Sequence, residues 1–153
     1  NKLKKMKSKE LELKSQICFP IHLTSRLITR TYKPFLNKLG ITYPQYLVLL
    51  VLWENDKIPI NHIAQKLFLN TNTLSPMLKR MEKLKIINRN NSSQDERVVI
   101  VSLNKKGKEL RAKSKSIPKM LLKTLESEKI NLSEILKMKK TLNELTTILS
   151  VDE

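Results

Sequence analysis

Apolar residues change their spacing along the chain, and each change marks an element. From Lys9 to Leu39 the apolar positions (Leu11, Ile17, Cys18, Ile21, Leu27, Ile28, Phe35, Leu39) predict one long helix. Pro20 predicts a kink within it, or a break with the true helix starting later. Pro34 disturbs it nearer its end, and Gly40 terminates it. Residues 1–9 are basic and polar, the composition of a frayed end. After Thr42 or Tyr43 as cap and Pro44 as first helical residue, Tyr46 to Trp53 are apolar nearly all round. A helix of that kind, Pro44 to Asn55, belongs in a core.

Residues 58–103 carry the most telling pattern. Ile60 to Leu67 predicts a short helix, a polar break follows at Asn70-Thr71-Asn72, and a second helix runs to about Lys85. Leu74, Leu78, Met81 and the Lys85 stem share one face of it. Asn72, Thr73, Met77, Lys79 and Arg80 lie off that face and point outward. Pro76 requires the helix to begin near Asn72 or Thr73. The period then falls to about two. Ile86 to Asn90 and Arg97 to Leu103 predict strands around the polar tip Asn91 to Glu96, and Ile58 to Ile60 supplies a short third strand. The fold class is mainly α with a small β wing: a winged helix-turn-helix over residues 41–103. Helices over 1–40 and 104–153 flank it.

Beyond the wing, a helix opens at Asn104-Lys105-Lys106-Gly107 and runs toward Leu125, bent at Pro118. Gly40 and Gly107 read as punctuation at helix boundaries. After a break at Glu126 to Asn131, the last helix spans Leu132 to Leu149, with Ile135, Met138, Leu142, Leu145 and Leu149 on one stripe. The apolar stripes of both chain ends lack a partner in the winged core. A second copy would bury them and would supply two recognition helices for a palindromic duplex.

Charge sharpens this picture. Thirty Lys and Arg against fourteen Asp and Glu give a formal charge of +16. That field favours polyanions, nucleic acid first and an anionic membrane surface second. Between Thr71 and Arg111 ten cations (Lys79, Arg80, Lys83, Lys85, Arg89, Arg97, Lys105, Lys106, Lys108 and Arg111) outweigh four acids (Glu82, Asp95, Glu96 and Glu109), so the excess covers the helix and wing without being confined to them. A wing with no duty is the bland alternative; these cations and the helix start argue for phosphate contact. No run of 18 apolar residues predicts a membrane span. No secretory signal is visible, and a single Cys suits a reducing cytoplasm. No metal-ligand spacing, phosphate-binding glycine loop or nucleophile triad is present, so neither cofactor nor metal is expected.

Five strings carry a resemblance: Ile17-Cys18-Phe19, Tyr32-Lys33-Pro34, Ile41-Thr42-Tyr43-Pro44-Gln45-Tyr46, Thr73 to Glu82, and Asp95-Glu96-Arg97. Together they resemble the MarR family of bacterial repressors and, within it, the branch that senses organic hydroperoxides. The likeness runs from about residue 10 to residue 118. It implies a homodimer whose N- and C-terminal helices interlock, and a palindromic double-stranded operator with the recognition helix in its major groove. It implies helix contacts at Thr71, Asn72, Thr73, Ser75 and Arg80, and a wing arginine, Arg97, in the minor groove with Asp95 orienting it. Lys79 and Lys83 join Arg80 as phosphate contacts.

The resemblance also changes the reading of Cys18. A lone Cys is ordinarily a small buried hydrophobe. In peroxide-sensing relatives the matching Cys is the reactive thiol, and two tyrosines of the partner subunit, matching Tyr32 and Tyr43, hydrogen-bond it. The family often has a tyrosine four residues after the Cys; this chain has His22, which shares a helical face with Cys18. Oxidation of Cys18 and loss of the operator is thus the expected response. The rivals are a regulator of the same fold released by a small aromatic ligand, with Cys18 as packing, then a one-Cys peroxidase, then a basic membrane-surface protein.

Overall fold

The computed structural model describes residues 9–127 and 130–150; the basic residues 1–8 lie outside them. The described residues through Lys113 form one compact unit and those from Ser114 a second.

In the first unit a 3-10 turn at Leu13–Ser15 precedes helix α1, Cys18–Leu39. The predicted helix from Lys9 is therefore broken, and the true helix starts at Cys18. Pro20 sits in its first turn, where no intrahelical N–H is needed. Pro34 is accommodated inside the helix. Gly40 ends α1 at φ 70°, a left-handed conformation that costs glycine nothing. Helix α2, Tyr43–Glu54, starts with the Thr42 N–H donating to Gln45 Oε1 at 2.9 Å. Its residues Tyr46, Val48, Leu49, Val51 and Leu52 are buried.

Strand β1 (Ile58–Pro59) leads into α3, Ile60–Leu67, and then α4, Thr71–Lys83. Leu74, Leu78 and Met81 of α4 are fully buried. Each contributes about 1.5–3 kcal/mol by leaving water. One expectation for α4 fails: Lys85 does not extend its buried face. The helix stops before Lys85, which takes φ 57° and is exposed, while the Ile86 N–H reaches back to the Met81 carbonyl. The helix begins where Pro76 requires, at Thr71 beside Asn72; Pro76 lies in its second turn, so the Asn72 carbonyl has no helical donor, and Asn72 is exposed.

Strands β2 (Ile87–Asn91) and β3 (Val99–Leu103) follow, and the antiparallel sheet has the order β1-β3-β2. Arg89 pairs with Val101, and Ile58 pairs with Val101 from the other side. Arg97 and Val98 fall outside β3, because the Val98 N–H is taken by the Asp95 carbonyl within the wing tip.

Helix α5, Lys105–Ser114, contains Gly107 rather than being bounded by it. A Cβ at Gly107 would collide with the Ile86 carbonyl oxygen, so close approach is the reason for this glycine. The predicted single helix to Leu125 is two. In the second unit α6, Ile117–Leu125, carries Pro118 in its first turn. Helix α7, Leu132–Leu149, is capped reciprocally by Asn131 and Glu134. On α7, Ile135 is buried, whereas Met138, Leu142, Leu145 and Leu149 are exposed. Among the described residues no single helix is long and apolar enough to cross a membrane.

Candidate nucleic-acid interface and thiol site

Burying one face of α4 leaves the other free. Asn72, Thr73, Lys79, Arg80 and Lys83 are exposed along it, with Thr71 and Ser75 half-buried beside them. Asn70 caps the start: its Oδ1 accepts the Asn72 N–H at 2.8 Å, and its carbonyl accepts the N–H groups of Thr73 and Leu74. The Arg80 Nε–H donates along the helix to the Pro76 carbonyl at 3.4 Å.

In the wing, Asp95 holds Arg97 at three points. Oδ1 accepts the Arg97 backbone N–H at 3.0 Å and Nε–H at 3.1 Å, and Oδ2 accepts from Nη2 at 3.3 Å. Those bonds, the side-chain ones first, hold the Asp95 carboxyl below its usual range. The Arg97 side chain remains 91% exposed, so it is oriented yet still offered to solvent. The Ser92 N–H to Val98 carbonyl bond, 2.7 Å, closes the tip.

Two anchors at the wing root escaped sequence reasoning. Glu82 Oε1 accepts the Arg89 backbone N–H at 2.9 Å, and Oε2 lies 3.7 Å from Nη1 of the same residue. Asp56 Oδ1 accepts the Leu103 N–H at 2.7 Å and the Lys57 N–H at 2.8 Å. The available signal for Glu82 was one acid amid Lys79, Arg80, Lys83 and Lys85.

Cys18 is the first residue of α1 and is exposed. Because α1 is unbroken from Cys18, His22 lies one turn along the same face, also exposed. Tyr32 and Tyr43 come together, ring centroids 4.8 Å apart. Tyr46 joins them at 5.9 and 6.5 Å, and Trp53 meets Tyr46 edge-on at 6.0 Å. Burial, then the neighbouring Tyr43 and Tyr46 phenols, push the Tyr32 hydroxyl up to about 12. Burial raises Tyr43 as well. Both hydroxyls therefore stay protonated at neutral pH and can donate. Along α1, Cys18 and Tyr32 are separated by about 21 Å, so the chain does not bring its thiol to its own tyrosine pair.

Beside Tyr43 opens a cavity of about 550 Å³, bordered by Arg26, Arg30 and Lys33 on α1 and by Ile41 and Pro44. Among the described residues no cluster of His, Cys, Asp or Glu is placed to hold a metal ion.

Residues 30–114 match the family model of the transcriptional regulators SarA/Rot. The organic hydroperoxide resistance transcriptional regulator of Bacillus subtilis is 46% identical over 112 residues, 73% of this chain and 76% of its own. The regulator MgrA of Staphylococcus aureus is 37% identical over 105 residues, 68% of this chain and 71% of its own. Among solved structures, reduced AbfR bound to DNA has a TM-score of 0.78 at 33% identity, covering 94% of this chain and 96% of AbfR. Overoxidized AbfR bound to DNA has a TM-score of 0.72 at 32% identity, over the same shares. With these likenesses, a winged helix of this topology and the strings around Cys18, Tyr43 and Arg97, the chain belongs to the MarR family of transcriptional regulators, in the branch that contains the organic hydroperoxide resistance regulator.

Proposed function

We propose that this chain is a cytoplasmic repressor that binds a palindromic operator as a homodimer and lets go when an organic hydroperoxide oxidises Cys18. Thr71, Asn72, Thr73 and Ser75 at the start of α4 read bases in the major groove, Lys79, Arg80 and Lys83 hold phosphates, and Arg97, braced by Asp95, enters the minor groove. The observation that carries the redox part is the separation of Cys18 from its own tyrosines. An exposed thiol stands at one end of α1, and a pair of protonated phenols stands near the other. A second copy running antiparallel supplies the missing half to each.

The chemistry is a two-electron transfer and makes the protein a sensor, not an enzyme. The Cys18 thiolate attacks the peroxide oxygen, an S–O bond forms and the O–O bond breaks. The alkoxide leaves and takes a proton to become an alcohol, while the cysteine becomes a sulfenic acid. With a single Cys in the chain, that acid condenses with a small thiol, cyclises onto a backbone nitrogen or oxidises further. His22 lies one turn away on the same exposed face. Added bulk at the tyrosine pair shifts the long helices and moves the two recognition helices off half-site spacing.

A second reading is favoured by the cavity beside Tyr43, whose size and cationic border suit a small aromatic acid. One experiment separates the two. A palindromic duplex selected by the protein from a random pool is titrated with parent and Cys18→Ser protein, before and after cumene hydroperoxide, with mass spectrometry of the Cys18 peptide. Release confined to the parent, with oxygen added at Cys18, supports redox sensing. Release of both proteins, or release with Cys18 unmodified, refutes it.

A further inference from the structure

A wing arginine is useful only if it meets the duplex in step with the recognition helix. We propose that Glu82 is a positioning residue that clamps the wing to the recognition helix and so sets where Arg97 meets DNA. This rests on the DNA-binding mode proposed above.

Glu82 is the one acid on α4, at its penultimate position. An acid on a helix that faces phosphates is repelled by them. Yet Glu82 pairs with none of its neighbours Lys79, Arg80 and Lys83. It turns to β2 and accepts the Arg89 backbone N–H at 2.9 Å, with Oε2 3.7 Å from the guanidinium. A bond to the backbone fixes the strand itself, and a charged acceptor makes it stronger than a neutral one. Arg89 is the middle residue of β2, two places before the wing tip opens at Asn91. Among the described residues no other side-chain hydrogen bond joins α4 to the wing strands. The remaining ties at the root go elsewhere: Asp56 to the Leu103 N–H, and Lys106 Nζ to the Leu84 carbonyl. The Arg89 Nε–H is already buried without a partner. Loss of Glu82 would strand the backbone N–H and the guanidinium too, and β2 would have to move to satisfy them.

The test is a double-mutant cycle on affinity for the selected palindromic duplex. Glu82→Ala in the parent is expected to weaken binding roughly tenfold. In an Arg97→Ala background the same change is expected to cost under about twofold, because the contact it positions is gone. Glu82→Gln, which keeps an acceptor for the Arg89 N–H, restores most of the parent affinity. Binding to a random-sequence duplex does not fall, since the lost charge was a negative one. Equal losses in both backgrounds, or no rescue by Gln, overturn the proposal. If Glu82→Ala does not fold, Glu82→Asp takes its place; it keeps the charge and loses the reach. Arg97→Ala protein that binds like the parent overturns the wing reading itself, whereas Arg97-dependent binding with additive Glu82 losses overturns only the clamp.

Discussion

The rings of Tyr32 and Tyr43, one near the end of α1 and one opening α2, meet at a tilt, centroids 4.8 Å apart and planes at 47°. Burial raises the hydroxyls of all three tyrosines in the chain above their ordinary value, and neighbouring phenols add to it at Tyr32, which reaches about 12, and at Tyr46. The folded state therefore holds these protons longer than the unfolded chain does. Stability from the cluster is complete below pH 10 and is lost as pH rises toward 12. The tyrosinate absorbance of the folded protein should stay under half its final value at pH 10, and unfolding should set in between pH 10 and 12. A free-tyrosine titration curve for the folded protein would refute the cluster.

Gly107 lies where α5 crosses the start of β2, and its carbonyl accepts the Trp53 Nε1–H at 3.0 Å. A methyl group there meets the Ile86 backbone oxygen, which cannot swing aside as a side chain can. Gly107→Ala should cost about 1–3 kcal/mol, the range for overpacking a tight core. It should appear as a lower urea midpoint. An unchanged midpoint would mean that α5 can withdraw from the sheet at no cost.

What was legible in the sequence was what periodicity writes down. Ile60–Leu67 and Leu132–Leu149 came out with both boundaries, because a helical stripe ends cleanly at each. The buried trio Leu74, Leu78 and Met81 and the short strand at Ile58 were readable for the same reason. Less legible was anything set by a tertiary neighbour. Nothing in a lysine announces the left-handed turn at Lys85, where Gly or Asn is usual. Nothing local marks Gly107 as a contact point. Glu82 and Arg89 sit seven residues apart across a helix-to-strand turn, a separation for which no spacing rule exists. At the thiol site the strings around Cys18, Tyr32 and Tyr43 were visible, but the extension of the aromatic cluster to Tyr46 and Trp53 depends on how α2 packs.

Lys85 takes φ 57° just past Leu84, the C-cap of α4, exposed to solvent, with its N–H bonded to the Glu82 carbonyl at 2.8 Å. A left-handed conformation costs a residue with a Cβ about 1–2 kcal/mol, and glycine returns part of that through its greater freedom when unfolded. Lys85→Gly should stabilise the protein by about 0.5–1 kcal/mol. The denaturant midpoint should rise with the slope unchanged. A lower midpoint would show that the lysine stem contributes packing there.

Arg80 is exposed on the free face of α4 and is tethered only to its own helix. If it meets a phosphate, Arg80→Ala should reduce affinity for specific and random duplexes alike. The slope of log affinity against log salt should then become shallower by about 0.9, one counterion's worth. Lost affinity with an unchanged slope would move Arg80 from phosphate contact to base reading.

Helix α7 exposes Met138, Leu142 and Leu145 on one stripe, at 44%, 39% and 39%. Its start is capped reciprocally by Asn131 and Glu134. A second copy that covers it gains about 1.5–3 kcal/mol for each large side chain buried. A carboxylate placed at Leu142 would lose that gain and would have to be desolvated unpaired. Leu142→Glu should therefore shift the protein from dimer to monomer in light scattering while leaving its helical circular dichroism intact. Affinity for the palindromic duplex should fall with dimerisation, because one recognition helix must then bind without the other. A dimer of undiminished strength would place the subunit contact elsewhere.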